Sequence, residues 1–272
     1  GGRRLSGRVV ISGAKNAALP VMAATLLAKG VHTLRNVPDL LDTRTFARVL
    51  EVLGAKVTFK GDLCSIDTTG VNSVEAPYEL VKTMRASIYV LGPLLARFGG
   101  AKVSLPGGCA WGPRPVNLHL TGLAALGASL DIEHGYIVGR DVKLHGANFT
   151  FDVVSVGATA QLMMAASLAE GTTVLENVAI EPDITVLGEV LNRCGARIEG
   201  LNSRRLVIHG VKELSPIDTT IIPDRIEAAT FAAAAAMTGG SITLERVIPE
   251  HFEASLRKLE EAGATVLREH DE

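Results

Sequence analysis

Aromatic residues are scarce in this chain of 272 residues: one Trp, three Tyr and seven Phe make up 4% of it, while hydrophobic residues as a whole reach 47%. Cores built on stacked rings are thereby excluded. The interior has to be filled by Ala, Val, Leu and Ile, whose small volumes let helices and sheets approach closely, and this favours an α/β architecture. Cysteine is equally rare. Cys64, Cys109 and Cys194 are odd in number and far apart, with no Cys-x-x-Cys pair and no Cys/His cluster of metal-ligand spacing. A disulfide framework is excluded, no metal is expected, and a reducing cytoplasm fits. Excess charge is missing too: a formal net charge of -2 and a pI near 6.4 leave no general footprint for nucleic acid or an anionic membrane. Any anion site has to be local. The longest apolar runs, 17–28 and 228–237, fall short of a membrane span or carry Pro and Thr, and Gly1-Gly-Arg-Arg-Leu5 has no apolar signal core behind it.

What the chain does have is a repeat of about 70 residues. One anchor recurs as Leu26-Leu-Ala-Lys-Gly-Val-His-Thr-Leu-Arg-Asn-Val37, Ser167-Leu-Ala-Glu-Gly-Thr-Thr-Val-Leu-Glu-Asn-Val178 and Ala236-Met-Thr-Gly-Gly-Ser-Ile-Thr-Leu-Glu-Arg-Val247, with a weaker copy at Gly100. A second anchor is Leu53-Gly-Ala, Leu126-Gly-Ala, Cys194-Gly-Ala and Ala262-Gly-Ala. Each glycine follows a helical apolar pattern and precedes an alternating one, where a turn out of the helix needs a left-handed residue. Periodicity predicts helices at 17–29, 40–53, 77–97, 116–126, 156–169, 183–193, 224–238 and 249–261, with strands between them. The two most apolar helices, 156–168 and 228–237, are expected to be buried on most sides, inside a shell of sheets.

Candidate chemistry gathers at strand-to-helix junctions. Ser12-Gly-Ala-Lys-Asn-Ala-Ala-Leu-Pro20 places Lys15 and Asn16 at a helix start, where an anion is favoured; the alternative is an ordinary exposed lysine. Arg85 interrupts an otherwise apolar helix, so it needs a ligand anion, an internal carboxylate or a route to solvent. In Leu105-Pro-Gly-Gly-Cys-Ala-Trp-Gly-Pro-Arg-Pro115 the glycines give the backbone freedom, two prolines hold Arg114 extended, and a nearby cation favours the Cys109 thiolate. A tight surface loop with its thiol turned inward is the other reading of that segment. His119 stands at the following helix start and is uninformative alone. Ser155 and Gly157 open another helix, as a second phosphate site or as a simple N-cap. Pro223-Asp-Arg-Ile-Glu227 reads first as a cap.

Taken jointly and in order, these segments, with Lys82-Thr-Met-Arg-Ala-Ser87 and Val154-Ser-Val-Gly-Ala-Thr159, resemble the UDP-N-acetylglucosamine 1-carboxyvinyltransferase family of enolpyruvyl transferases throughout the 272 residues. The resemblance implies a fold of two inverse α/β barrels, each of three repeats, helices inside and sheets outside. Residues 15–222 would then form one complete barrel, with 1–14 and 223–272 part of the other. Four of six repeats are present, which implies a fragment; the family's aspartate base and a further arginine would lie beyond Glu272, leaving these residues inactive alone. The implied reaction moves enolpyruvyl from phosphoenolpyruvate to the 3'-hydroxyl of UDP-N-acetylglucosamine, releasing phosphate, in cytoplasmic peptidoglycan synthesis and hence cell shape and division, without metal or other cofactor.

By the same resemblance Cys109 is the general acid and the residue that fosfomycin alkylates. Lys15, Arg85 and Arg114 surround phosphoenolpyruvate, with Lys15 and Arg114 serving catalysis as well. Asn16, Arg114, Pro115, Val116, Asn117, Leu118, His119, Ser155, Val156 and Gly157 line the nucleotide sugar. Val153, Asn117 and Trp111 depart from the usual lysine, aspartate and aliphatic residue. Competing readings are 5-enolpyruvylshikimate-3-phosphate synthase, against which Cys109 and Lys15-Asn16 argue, a catalytically silent UDP-sugar-binding regulator of the same fold, and a purely structural repeat protein.

Overall fold

The computed structural model describes residues 3–81, 84–105 and 116–268, and of Arg85 the backbone alone. One plan recurs along them. In the first block β1 (Ser6–Val10) leads to α1 (Lys15–Ala24), which tightens into a 3₁₀ turn at Thr25–Leu27; β2 (Val31–Arg35), α2 (Leu41–Val52), β3 (Lys56–Lys60) and β4 (Leu63–Asp67) follow. The second block holds β5 (Glu75–Ala76), α3 (Tyr78–Val81), a 3₁₀ segment at Arg85–Val90, α4 (Leu91–Phe98), β6 (Ala101–Ser104), α5 (Asn117–Ala125), β7 (Leu130–Glu133) and β8 (Tyr136–Gly139). The third runs β9 (Asn148–Thr150), α6 (Val156–Ala166), β10 (Thr172–Glu176), α7 (Pro182–Arg193), β11 (Arg197–Glu199) and β12 (Arg205–His209). The fourth holds β13 (Asp218–Thr220), α8 (Arg225–Thr238), β14 (Ser241–Glu245), a 3₁₀ turn at Pro249–Phe252 and α9 (Glu253–Glu261). Just after the last helix of each block, Gly54, Gly127, Gly195 and Gly263 take φ values of 102°, 93°, 103° and 96°. Only glycine adopts such angles without strain, which is why the Gly-Ala anchor recurs.

Three four-stranded sheets, ordered β13-β2-β4-β3, β5-β6-β8-β7 and β11-β12-β10-β9, surround the inner helices. Helix α1 is buried from 17 to 24, α4 from 91 to 95 and α6 from 158 to 166, each without interruption. Small residues permit this crowding: a Cβ on Gly92 of α4 would stand 2.9 Å from the carbonyl oxygen of Gln161 on α6. Helices inside and sheets outside is the inverse α/β arrangement that the family resemblance implied.

The chain exchanges strands between blocks. β5 and β9 pair in parallel with the strand that follows their own inner helix, β6 and β10. In contrast, β1 pairs with β14, and β13 pairs with β2. The two crossing segments meet at Gly13 and Pro223, where Ala14 N donates to Ile222 O at 2.7 Å and Asp224 N donates to Ser12 O at 2.8 Å. Gly13 has no substitute there, because a Cβ would lie 1.7 Å from Asn36 O. A second, small apolar cluster of Ile11, Ala228, Phe252 and Leu256 forms beyond this crossing, apart from the main core.

Two expectations need correction. The helix predicted over 77–97 is divided: α4 starts at Leu91, so that Pro93 falls in its first turn, where a missing N–H leaves no helical bond unmade. Of the two most apolar helices only α6 is enclosed. In α8 just Ala228 and Ala235 are buried, while Ile226, Phe231 and Met237 stay 50%, 37% and 86% exposed. Helix α8 is packed by β14, the 3₁₀ turn Pro249–Phe252 and α9, which cover one side of it.

Candidate functional site

In the first, third and fourth blocks the inner helix follows a strand and a short turn, so its first turn presents amides without intrahelical partners at the same place in each, whereas α4 continues from a 3₁₀ segment. Lys15 is the first residue of α1, and its Nζ pairs with Asp42 Oδ2 of α2 at 2.8 Å. Both side chains are more than a third exposed, so the pair holds a cation at the helix start without removing it from solvent. Asn16 follows, exposed. No side chain caps α1, and Pro20 has no N–H to offer the Asn16 carbonyl, so polar backbone of this turn stays available.

Helix α6 starts differently. Ser155 is its N-cap, the Oγ accepting from Ala158 N at 3.2 Å, as the capping alternative predicted. Val156 is half-buried against the core. A Cβ on Gly157 would stand 3.3 Å from the His119 ring and 3.7 Å from the Tyr89 hydroxyl. With any other residue here the buried ring of His119 of α5 would have to give by a few tenths of an ångström. Val116 and Leu118 pack on the core, whereas Asn117, the first residue of α5, is exposed. Arg85 opens the 3₁₀ segment that packs against both α1 and α6. The described residues thus bring Ser155, Val156, Gly157 and His119 to one junction and Lys15 to a second, with the Arg85–Val90 segment packed against both helices. Cys109, Arg114 and Pro115 lie outside the described residues, as does Trp111.

Sequence reasoning did not find Asp42 or Tyr89. Asp42 was detectable as an acidic residue in a helix first turn, but nothing in sequence tied it to Lys15. The remaining thiols are poor nucleophiles: burial pushes Cys64 up to about 12 and raises Cys194 as well. Asp224 caps α8 by accepting from Ile226 N at 2.8 Å and Glu227 N at 3.1 Å, so the capping reading of its motif holds. Among the described residues no group of three His, Cys, Asp or Glu side chains could hold a metal ion, and no helix is long and apolar enough to cross a membrane.

Comparison with known proteins decides the family. The profile for EPSP synthase (3-phosphoshikimate 1-carboxyvinyltransferase) matches residues 1–272. The chain belongs to the EPSP synthase family. Within that family it is 57% identical over 267 residues to the UDP-N-acetylglucosamine 1-carboxyvinyltransferase of Geobacter metallireducens, and 54% identical to that of Geotalea uraniireducens. Each match covers 98% of this chain and 64% of the relative, so the chain spans less than two thirds of the relatives' length. Among solved structures of EPSP synthase family folds, the enolpyruvyl transferase NikO from Streptomyces tendae matches with a TM-score of 0.75 at 28% identity, over 86% of this chain and 56% of that one. EPSP synthase from Acinetobacter baumannii shares the fold at a TM-score of 0.72 and 17% identity, over 91% and 57%.

Proposed function

We propose that this chain supplies much of the site of an enzyme that transfers enolpyruvyl from phosphoenolpyruvate to the 3'-hydroxyl of UDP-N-acetylglucosamine, with release of phosphate, in cytoplasmic peptidoglycan synthesis. The observation that carries the reading is the 57% identity, across nearly the whole chain, to a relative bearing that activity's name. The sister acceptor, shikimate 3-phosphate, has behind it the description of the family model, which the whole family shares, and structures 17% identical, which share the fold. In this reading residues 15–222 are one complete three-repeat unit, and 1–14 with 223–272 belong to a second. The separate apolar clusters and the exchanged strands support that division.

The proposed chemistry is addition followed by elimination. The acceptor hydroxyl gives its proton to a base and adds to C2 of phosphoenolpyruvate as C3 takes a proton, for which Cys109 is the proposed acid; return of a C3 proton to a base and departure of phosphate then restore the double bond. Lys15, Arg85 and Arg114 are the proposed cations for the phosphate and carboxylate, since charge developing in a dry site needs several fixed donors. Asn16, Pro115, Val116, Asn117, Leu118, His119, Ser155, Val156 and Gly157 are the proposed contacts to the nucleotide sugar, with the uncapped start of α1 and the Gly157–His119 junction as its anchors. Calorimetric titration of the 272-residue chain separates the acceptors. Binding of UDP-N-acetylglucosamine and not of shikimate 3-phosphate is expected; the reverse preference would transfer the assignment to the sister activity, and binding of neither would sink the site.

A further inference from the structure

Asp183 and Arg225 form an ion pair unlike the others among the described residues. Asp183, in the first turn of α7, is only 6% exposed at its side chain, and Arg225 Nη2 reaches its Oδ2 at 3.2 Å from the first residue of α8. In the remaining pairs no side chain is less than 34% exposed. The repeat explains where the pair comes from. Asp183 occupies in the third block the place that Asp42 has in the first, and Arg225 occupies in the fourth the place of Lys15. Asp42 pairs with the cation that starts its own inner helix, but that position in the third block is Val156. With no cation at the helix start of its own block, Asp183 pairs with the one in the next, across the strand crossing.

The surroundings are polar. Glu181 Oε2, Arg225 Nε and His251 Nδ1 are buried atoms with no protein partner. Asp183 is faced by Arg225 and Asp224, and His251 by Asp183, Glu250, Arg225 and Glu189. Burial raises the Asp183 carboxyl against the pull of Arg225 and lowers His251 against the pull of Asp183. A permanent weld between two layers is apolar, whereas a charged junction with unused hydrogen-bonding capacity can be made and broken. We infer that Asp183 is a positioning residue whose pairing with Arg225 clasps the α8 layer to α7 and fixes the angle at the strand crossing. The inference stands independently of the proposed reaction.

Amide hydrogen exchange of the 272-residue chain tests it, comparing wild type with Asp183→Asn, Arg225→Gln, the double variant and the swap Asp183→Arg/Arg225→Asp. Removing one partner of a buried pair is costly and partial exposure of Arg225 moderates it, so each single variant should exchange about tenfold faster across 225–256. Protection of α1 and α6 should not change, the double should be no faster than either single, and the swap should recover part of the loss. Unchanged exchange at 225–256, additive effects in the double, or loss of protection throughout the chain in both singles would each overturn the clasp.

Discussion

Acid should loosen this protein through His32. Its ring is wholly buried in β2, Nδ1 accepts from Ile217 N at 3.0 Å, and Nε2 lies 3.1 Å from Thr68 Oγ1 and 3.3 Å from Ala28 O. A nitrogen that accepts from a backbone amide cannot carry a proton, so the neutral Nε2–H tautomer is the one that fits. Burial, aided by Arg97, lowers the pKa from 6.5 to about 4 against the opposing pull of Ala28 O and Asp67. Between those values the unfolded chain binds a proton that the folded chain refuses. Stability is therefore fully present above pH 6.5 and is lost as pH falls towards 4, by about 2.5 kcal/mol at pH 4.5. Urea denaturation of wild type and His32→Gln at pH 7.5 and 4.5 isolates this share, because every other titrating group is common to both. The variant should be weaker at pH 7.5 and lose about 2.5 kcal/mol less than wild type on acidification. Identical losses would show that His32 takes up its proton without breaking the Ile217 bond.

Three further outcomes follow from packing. Gly13→Ala should lower stability by about 2–3 kcal/mol through the collision with Asn36 O, while Gly100→Ala, whose nearest contact is 3.7 Å, should stay within about 0.5 kcal/mol in thermal denaturation. Gln161 is fully buried with both side-chain polar atoms unpartnered, so Gln161→Leu should raise stability by about 1 kcal/mol; a loss of that size would show that the amide is satisfied in solution. Thiol titration of the folded chain should label Cys64 and Cys194 at least about 100-fold more slowly than after unfolding, with peptide mapping placing any fast label on Cys109.

Periodicity made most helices legible, since α1, α2, α6 and α7 bury continuous or one-sided apolar stripes that sequence displays directly. The Gly-Ala anchors were equally readable because a single residue type tolerates their φ. Burial of α8 was misjudged for a reason that composition hides: alanine runs permit enclosure but do not cause it, and what lies alongside a helix is a tertiary fact. Pairing was invisible for the same reason. Nothing local distinguishes β5, which stays with its own block, from β1, which leaves it. At the candidate site the residue types, the helix starts and Ser155 as a cap were legible, but the Gly157–His119 contact and the Lys15–Asp42 pair depend on neighbours distant in sequence.

The exchange of β1 and β13 also dictates an order of assembly during synthesis. Ser6 leaves the ribosome long before its partner, Ser241. At 5–20 residues per second the strand waits on the order of 10–50 s for β14 to exist. The sheet around β2 likewise stays one strand short until Asp218 to Thr220 arrive to join it. A strand left alone that long is a template for mispairing unless charge discourages it. Arg3 and Arg4 precede β1 and Arg8 stands in its middle, later to pair with Glu245 at 2.5 Å. The same arginine that ends in an ion pair thus leaves an unpaired charge in the middle of β1 until Glu245 has been made.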